Sequence, residues 1–300
     1  MTPTTAISRL ELRRLIDRSF VEDAPAGDIT AQTFIPESAL FTGVVSAREP
    51  GVMADGGVFA EVMKAAAEES RTAPVEVEVL VADGQEFAAG DHLIRMSGPA
   101  RAVLLGERLG LNLLQRMCAI AAATKKFTDE AQRGFARSSR RQGSVRVADT
   151  RKTTPGLRFL ERYAVRCGGG HNHRRGLSDA VMLKDNHLSL LGEGDALTQA
   201  LREGIAELGH TVHVEVEVDR REQIEPVVAA GVDTIMLDNF TPEQLREGVE
   251  QVAGRAVVEA SGGVNLSTIA DIAATGVDVI SVGALTHSVV NLDLGLDALD

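Results

Sequence analysis

At 300 residues and 31.9 kDa, the chain is sized for one large domain or two modest ones. Its composition, 44% hydrophobic and 25% charged, excludes a disordered or fibrous chain. Two cysteines, Cys118 and Cys167, rule out a disulfide framework and an all-cysteine zinc site; no run of about 18 apolar residues offers a membrane span. A net charge of −12 argues against a nucleic-acid partner, so a soluble cytoplasmic protein is the default expectation. Yet residues 131–175 hold twelve Lys or Arg against only Asp149 and Glu161. Such a segment is either a solvated basic face or a focused positive field for a small anion.

In chain order, the first twenty residues predict a short amphipathic helix, and EDAPAGDIT a turn-rich link. FTGVVSARE (41–49) alternates apolar and polar like a half-buried strand. GGVFAEVMKAAAEES (56–70) has helical spacing, and VEVEVLV (75–81) alternates strictly. ADGQEFAAGDHLIRMSG reads as two short strands divided by Gly-Asp turns. A small α/β sandwich is expected over residues 1–117, with residues 288–300 packing back on it. GERLGLNLLQRMCAIAAATKKFTDEA (106–131) is one long helical pattern leading into the next domain.

From Val145 onward, apolar strands alternate with helices. VRVADT, AVMLKDN, TVHVEVEV, TIMLDN, AVVEASG and VISVG are the strands. That alternation implies parallel strands with helical crossovers. Six strands are too few for a complete eight-unit barrel, so an incomplete, six-stranded α/β barrel is expected over residues 118–287. Each strand ends in residues suited to chemistry: Thr150, Arg151 and Lys152; Lys184; Glu217; Asp238; Ser261, Gly262 and Gly263; then Gly283. Barrel active sites lie at the C-terminal strand ends, so one pocket can collect them all.

Arg151 supplies a planar fork for a carboxylate or phosphate, and Lys152 a compact charge. RCGGGHNHRR then brings His173 and Arg174 before the Lys184 strand. The spacing of His171 and His173, with His187 nearby, admits a barrel metallohydrolase. Arg174 and Arg175 alongside would repel a divalent cation, so His173 is read as a donor to an anion. Glu215 and Glu217 share one strand face, and either can be the working carboxylate. Glu217 and Asp238 are candidate ligands for Mg²⁺, directly or through water, or for ribose hydroxyls. The glycine-rich turns after the last two strands expose backbone N–H groups to a phosphate. Neither G-x-G-x-x-G nor a P-loop pattern occurs, and no Ser-His-Asp or Cys-His nucleophile stands out.

Seven stretches, running in order from about residue 20 to 290, resemble the quinolinate phosphoribosyltransferase family. They are EDAPAGDIT, GERLGLNLLQRM, DTRKTTPGLRFLERYAVRCGGGHNHRRGLSDAVMLKDNH, VEVEV, IMLDNF, EASGGVN and GVDVISVGALTHS. The resemblance implies transfer of phosphoribosyl from phosphoribosyl pyrophosphate to quinolinate, giving nicotinate mononucleotide, CO₂ and pyrophosphate in NAD synthesis. It implies Mg²⁺ and no organic cofactor. It places Arg108, Thr150, Arg151, Lys152, His173, Arg174 and Lys184 about the substrates, with Lys152, Glu217 and Asp238 at the chemistry. Ser261, Gly262, Gly263, Val282, Gly283 and Ala284 match the phosphate loops. It also implies a homodimer in which Arg108 reaches the neighbouring site. Cys118-Ala119-Ile120-Ala121 and Asp55, where glycine is usual, depart from the family pattern. A paralogous pyrophosphorylase acting on another anionic heterocycle is the alternative reading.

Overall fold

The computed structural model describes residues 7–139 and 143–299; the first six residues of the expected N-terminal helix lie outside that range. Contacts divide the chain into two compact units, residues 1–125 with 153–169 and 288–300, and residues 126–152 with 170–287. The sequence boundary at 117/118 differs from this division in two ways. The cut falls later, inside a helix, and residues 153–169 join the first unit. None of the helices among the described residues is long and apolar enough to cross a membrane.

The first unit begins with α1 (Arg9–Asp23), whose first turn is capped by the Ser8 hydroxyl accepting from the Glu11 N–H, and α2 (Ile29–Phe34), capped by Asp28. Its strands are β1 (Leu40–Ala47), β2 (Gly51–Val52), β3 (Glu76–Val79), β4 (Glu86–Phe87) and β5 (His92–Pro99), with α3 (Val58–Glu69) between β2 and β3. The main sheet runs β12-β1-β5-β3, where β12 (Leu294–Ala298) closes one edge antiparallel to β1. The expected strand VEVEVLV pairs only over its first part. Phe59, Met63, Leu93, Ile94 and Leu114 are fully enclosed and form the core with Val45 and Met53. Burying one such side chain is worth about 1.5–3 kcal/mol. Asp55, the departure from the family pattern, accepts the N–H groups of Gly57 and Phe59 at the start of α3.

Helix α4 (Ala100–Phe135) is longer at both ends than its apolar pattern suggests. Near its end, a methyl group at Gly134 would lie 2.1 Å from the Ala270 carbonyl oxygen, so only glycine allows that approach. α5 (Arg158–Cys167) belongs to the first unit. Its Glu161 binds Arg116, and its Tyr163 hydroxyl donates to Asp83 at 2.6 Å.

In the second unit, six parallel strands are β6 (Arg146–Ala148), β7 (Val181–Leu183), β8 (Val214–Val218), β9 (Thr234–Asp238), β10 (Val257–Ser261) and β11 (Val279–Ser281). They hydrogen-bond in the order β6-β11-β10-β9-β8-β7, leaving β6 and β7 as edges. This is the expected incomplete barrel. Crossover helices include α7 (Gly194–Ala206), α8 (Ile224–Ala229), α9 (Pro242–Val252) and α10 (Ile269–Ala273), with the short α6 (Asp185–Leu188) and α11 (Ala284–His287) at strand ends. α9 starts from a Thr241–Gln244 capping box followed by Pro242.

Candidate active site

Strand register explains why the polar residues converge. Side chains alternate between faces, and paired residues share a face. Met182 pairs with Glu215, Glu217 with Met236, Glu259 with Met236 and Val279, Ser261 with Asp238, and Ser281 with Ala148. Extending the alternation puts Lys184, Glu215, Glu217, Asp238, Glu259, Ser261, Ser281 and Thr150 on one face. The opposite face is aliphatic, with Val147, Val216, Ile235, Leu237, Val258 and Ile280 all buried. One face thus packs under the helices and the other carries the charged residues of the six strands.

The expected site residues fall into separate contacts. Lys184 Nζ pairs directly with Glu217, whose side chain is mostly buried. Asp238 accepts from Asn239 Nδ2 at 2.7 Å, and the Asn239 N–H donates to the Ser261 carbonyl. At Gly262 (φ +90°), a Cβ would lie 2.2 Å from Asn239 Oδ1, so this turn requires glycine; Gly263 (φ +62°) beside it faces open space. Thr150 accepts the Lys152 N–H, and the Thr286 hydroxyl donates to the Lys152 carbonyl at 2.7 Å. The Lys152 stem lies against Gly283, since a Cβ there would be 3.0 Å from Lys152 Cδ. Val282 is buried and Ala284 opens α11, so they offer backbone only. Arg151 is exposed. Arg108 is an exposed residue of α4 in the first unit.

His173, expected to donate to an anion, has both ring nitrogens engaged by protein. Nε2 is 2.9 Å from Glu215 and 3.5 Å from Glu259, while Nδ1 accepts the Arg174 N–H at 2.8 Å. Burial opposes charge on this ring, but the two carboxylates outweigh it and push its pKa up to about 10. A pKa of about 10 puts a proton on both ring nitrogens at neutral pH, whereas the Nδ1 contact is one that only a neutral ring accepts; common to both states is a proton on Nε2, aimed at the two carboxylates. Burial also raises the pKa of Glu215, and its hydrogen bond to His173 opposes this. Burial, and then Arg151, lower the pKa of Arg174.

Sequence reasoning missed two supporting residues. Asp149, fully buried, accepts from Asn172 Nδ2 at 2.6 Å and the His173 N–H at 2.7 Å. Glu259 accepts from His173 and from the Ser281 hydroxyl. A charge inside an apolar strand was their only signal. Among the described residues, His173, Glu215 and Glu259 form the one group of three metal-type ligands within 4.8 Å. Glu217 and Asp238, the expected metal pair, are outside it. Both cysteines are buried, which pushes their thiols up and leaves no nucleophile there.

The comparisons agree with one another. The family model for the N-terminal domain of quinolinate phosphoribosyl transferase matches residues 28–118, and that for its C-terminal domain matches residues 120–297. The probable nicotinate-nucleotide pyrophosphorylase [carboxylating] of Bacillus subtilis is 38% identical over 294 residues, covering 97% of this chain and 94% of that protein. The corresponding Mycobacterium leprae protein is 40% identical over 289 residues, covering 95% and 96%. The solved NadC from Streptococcus pyogenes superposes with a TM-score of 0.88 at 35% identity, covering 99% of this chain and 100% of that one. Matched in order through both halves, the chain belongs to the quinolinate phosphoribosyltransferase family.

Proposed function

We propose that this chain transfers the phosphoribosyl group of phosphoribosyl pyrophosphate to the ring nitrogen of quinolinate. Loss of CO₂ then gives nicotinate mononucleotide, with pyrophosphate as the other product, in NAD synthesis. The observation that carries the reading is the single barrel face on which Lys184, Glu217 and Asp238 gather, with Lys152 just past the end of β6 and Arg174 in the segment that leads to β7. Arg151, Arg174 and Lys184 orient the two quinolinate carboxylates, and Thr150 and Lys152 assist at the ribose and its phosphates. Ser261, Gly262, Gly263, Val282, Gly283 and Ala284 present backbone groups to the 5′-phosphate. Arg108 completes the site of the partner subunit in a homodimer.

The forming bond joins the pyridine nitrogen to ribose C1. The breaking bond joins C1 to a pyrophosphate oxygen, which leaves with the electron pair. Glu217 and Asp238 oppose the positive charge that develops at C1. They are also two hard, partly accessible carboxylates on neighbouring strands and would hold a Mg²⁺, which when bound would supply positive charge for the departing pyrophosphate. In the resulting pyridinium, the bond to the adjacent carboxylate breaks, the ring carbon keeps the pair, and it then takes a proton. The pyridinium is the electron sink, so no organic cofactor is required.

Purified chain incubated with quinolinate, phosphoribosyl pyrophosphate and Mg²⁺ should form nicotinate mononucleotide, and chelation should stop it. Nicotinate, lacking one carboxylate, should be a far poorer substrate, because unpaired buried charge costs about 3–5 kcal/mol. Comparable turnover of nicotinate would favour a paralogous activity.

A further inference from the structure

Below the strand-end residues, the barrel face carries a second charged layer that the transfer reaction does not use. Glu215 and Glu259 are each about 95% buried, on strands separated by β9. Two enclosed carboxylates are costly unless something holds them. What they share is His173, which approaches both through Nε2. The Glu259 oxygen facing His173 also receives the Ser281 hydroxyl, so its direction is fixed. Glu215 uses Oε2 for His173, while its Oε1 is enclosed without a hydrogen-bond partner among the described residues. Arg174 lies within electrostatic reach of Glu215.

The arm is held from other sides as well. Asp149 receives the His173 N–H and the Asn172 amide, His173 Nδ1 receives the Arg174 N–H, and Arg174 Nη1 donates to the Ala180 carbonyl at 3.2 Å. We propose that Glu215 and Glu259 are positioning residues for quinolinate recognition, clamping the His173 ring so that Arg174 is presented to a substrate carboxylate in one orientation. This rests on the quinolinate reading above. Preorganised donors lose little on binding, whereas a loosened arm must be ordered by the substrate. The effect therefore falls on quinolinate affinity rather than on phosphoribosyl pyrophosphate.

Steady-state kinetics of Glu259→Ala, Glu259→Gln and Glu215→Gln test this, each substrate varied with the other saturating. Losing a charged hydrogen bond in Glu259→Ala should raise KM for quinolinate about tenfold or more and leave KM for phosphoribosyl pyrophosphate nearly unchanged. Glu259→Gln, of the same shape and still an acceptor, should recover most of that loss. An equal rise in both KM values, or no rise in either, overturns the proposal, as does a Gln variant as impaired as the Ala variant. If Glu259→Ala does not fold, the split in Glu259→Gln and Glu215→Gln decides. Nitrogen NMR of ¹⁵N-histidine-labelled wild type supplies a readout independent of turnover. It should show His173 protonated on Nε2, with that resonance shifted in Glu259→Ala and in Glu215→Gln; a ring protonated on Nδ1 alone, or a resonance unmoved in both variants, contradicts the clamp. Wild type that fails to turn over quinolinate sinks the functional reading, whereas the ring tautomer judges the clamp separately.

Discussion

Both units bury carboxylates, and they do not pair them equally. In the first, Glu161 is fully enclosed, yet one oxygen receives Arg116 at 2.8 Å and the other the Thr154 N–H at 3.1 Å. Asp83 likewise accepts the N–H groups of Asp55 and Gly56 and the Tyr163 hydroxyl. Every oxygen has a fixed donor, which is how a structural carboxylate is satisfied. In the second unit Asp149 is closed in the same way, by the Asn172 amide and the His173 N–H, but Glu215 and Glu259 crowd one imidazole and Glu215 Oε1 has no hydrogen-bond partner among the described residues. Closed networks mark the scaffold; underpaired charge lies beside the strand ends where a ligand would act.

The comparison breaks first if charged residues on the barrel face prove structural. Arg174→Ala and Lys184→Ala should each fold with near-wild-type thermal stability and lose activity by about a thousandfold, since they hold the quinolinate carboxylates in the orientation the transfer needs. Circular dichroism and turnover measured on the same preparations check both halves.

Removing a partner in the first unit should do the reverse. Arg116→Ala strands the enclosed Glu161 and should cost about 3–5 kcal/mol in denaturant unfolding. Glu161→Gln should cost less, because Arg116 is one-fifth exposed and can rehydrate.

Asp55 sharpens the contrast by pH. Burial pushes its pKa up to about 6, and the bonds to Phe59 and Gly57 only partly offset this. The folded value lies above the ordinary one of 3.8, so its contribution is full below about pH 4 and falls as pH rises through 6. Relative to Asp55→Asn, wild type should lose about 3 kcal/mol between those limits. A pH-independent gap between the two would refute the burial argument.

The smallest signal concerns Arg108. Mixing inactive Arg108→Ala with inactive Lys184→Ala under subunit exchange should restore up to about a quarter of wild-type activity, since half the dimers are mixed and each has one intact site. No recovery, with exchange demonstrated, would place Arg108 in its own subunit's site or outside any.

Much of this was legible in the chain. Alternation of apolar and charged residues at the ends of AVMLKDN, TVHVEVEV and TIMLDN was enough to put Lys184, Glu217 and Asp238 on one face. The partners of α5 were not legible, because Arg116 and Asp83 lie 45 and 80 residues away from Glu161 and Tyr163. That is why residues 153–169 join a different unit from the one expected. Glu259 was invisible for another reason. EASGGVN drew attention to its glycines, and only the register with Met236 and Val279 shows which face the glutamate takes. β12 was missed as a strand because LGLDA lacks alternation strong enough to announce a sheet edge.

The most direct test of the contrast follows the carbon that is lost. Quinolinate labelled in the carboxylate next to the ring nitrogen, incubated with the wild-type chain, phosphoribosyl pyrophosphate and Mg²⁺, should release one labelled CO₂ for each nicotinate mononucleotide formed. Arg116→Ala, assayed under conditions where it stays folded, should keep that stoichiometry and most of the rate, whereas Arg174→Ala should lose both products together. Absence of labelled CO₂ from folded wild type, or equal losses in the two variants, would contradict the assignment of scaffold to the first network and chemistry to the second.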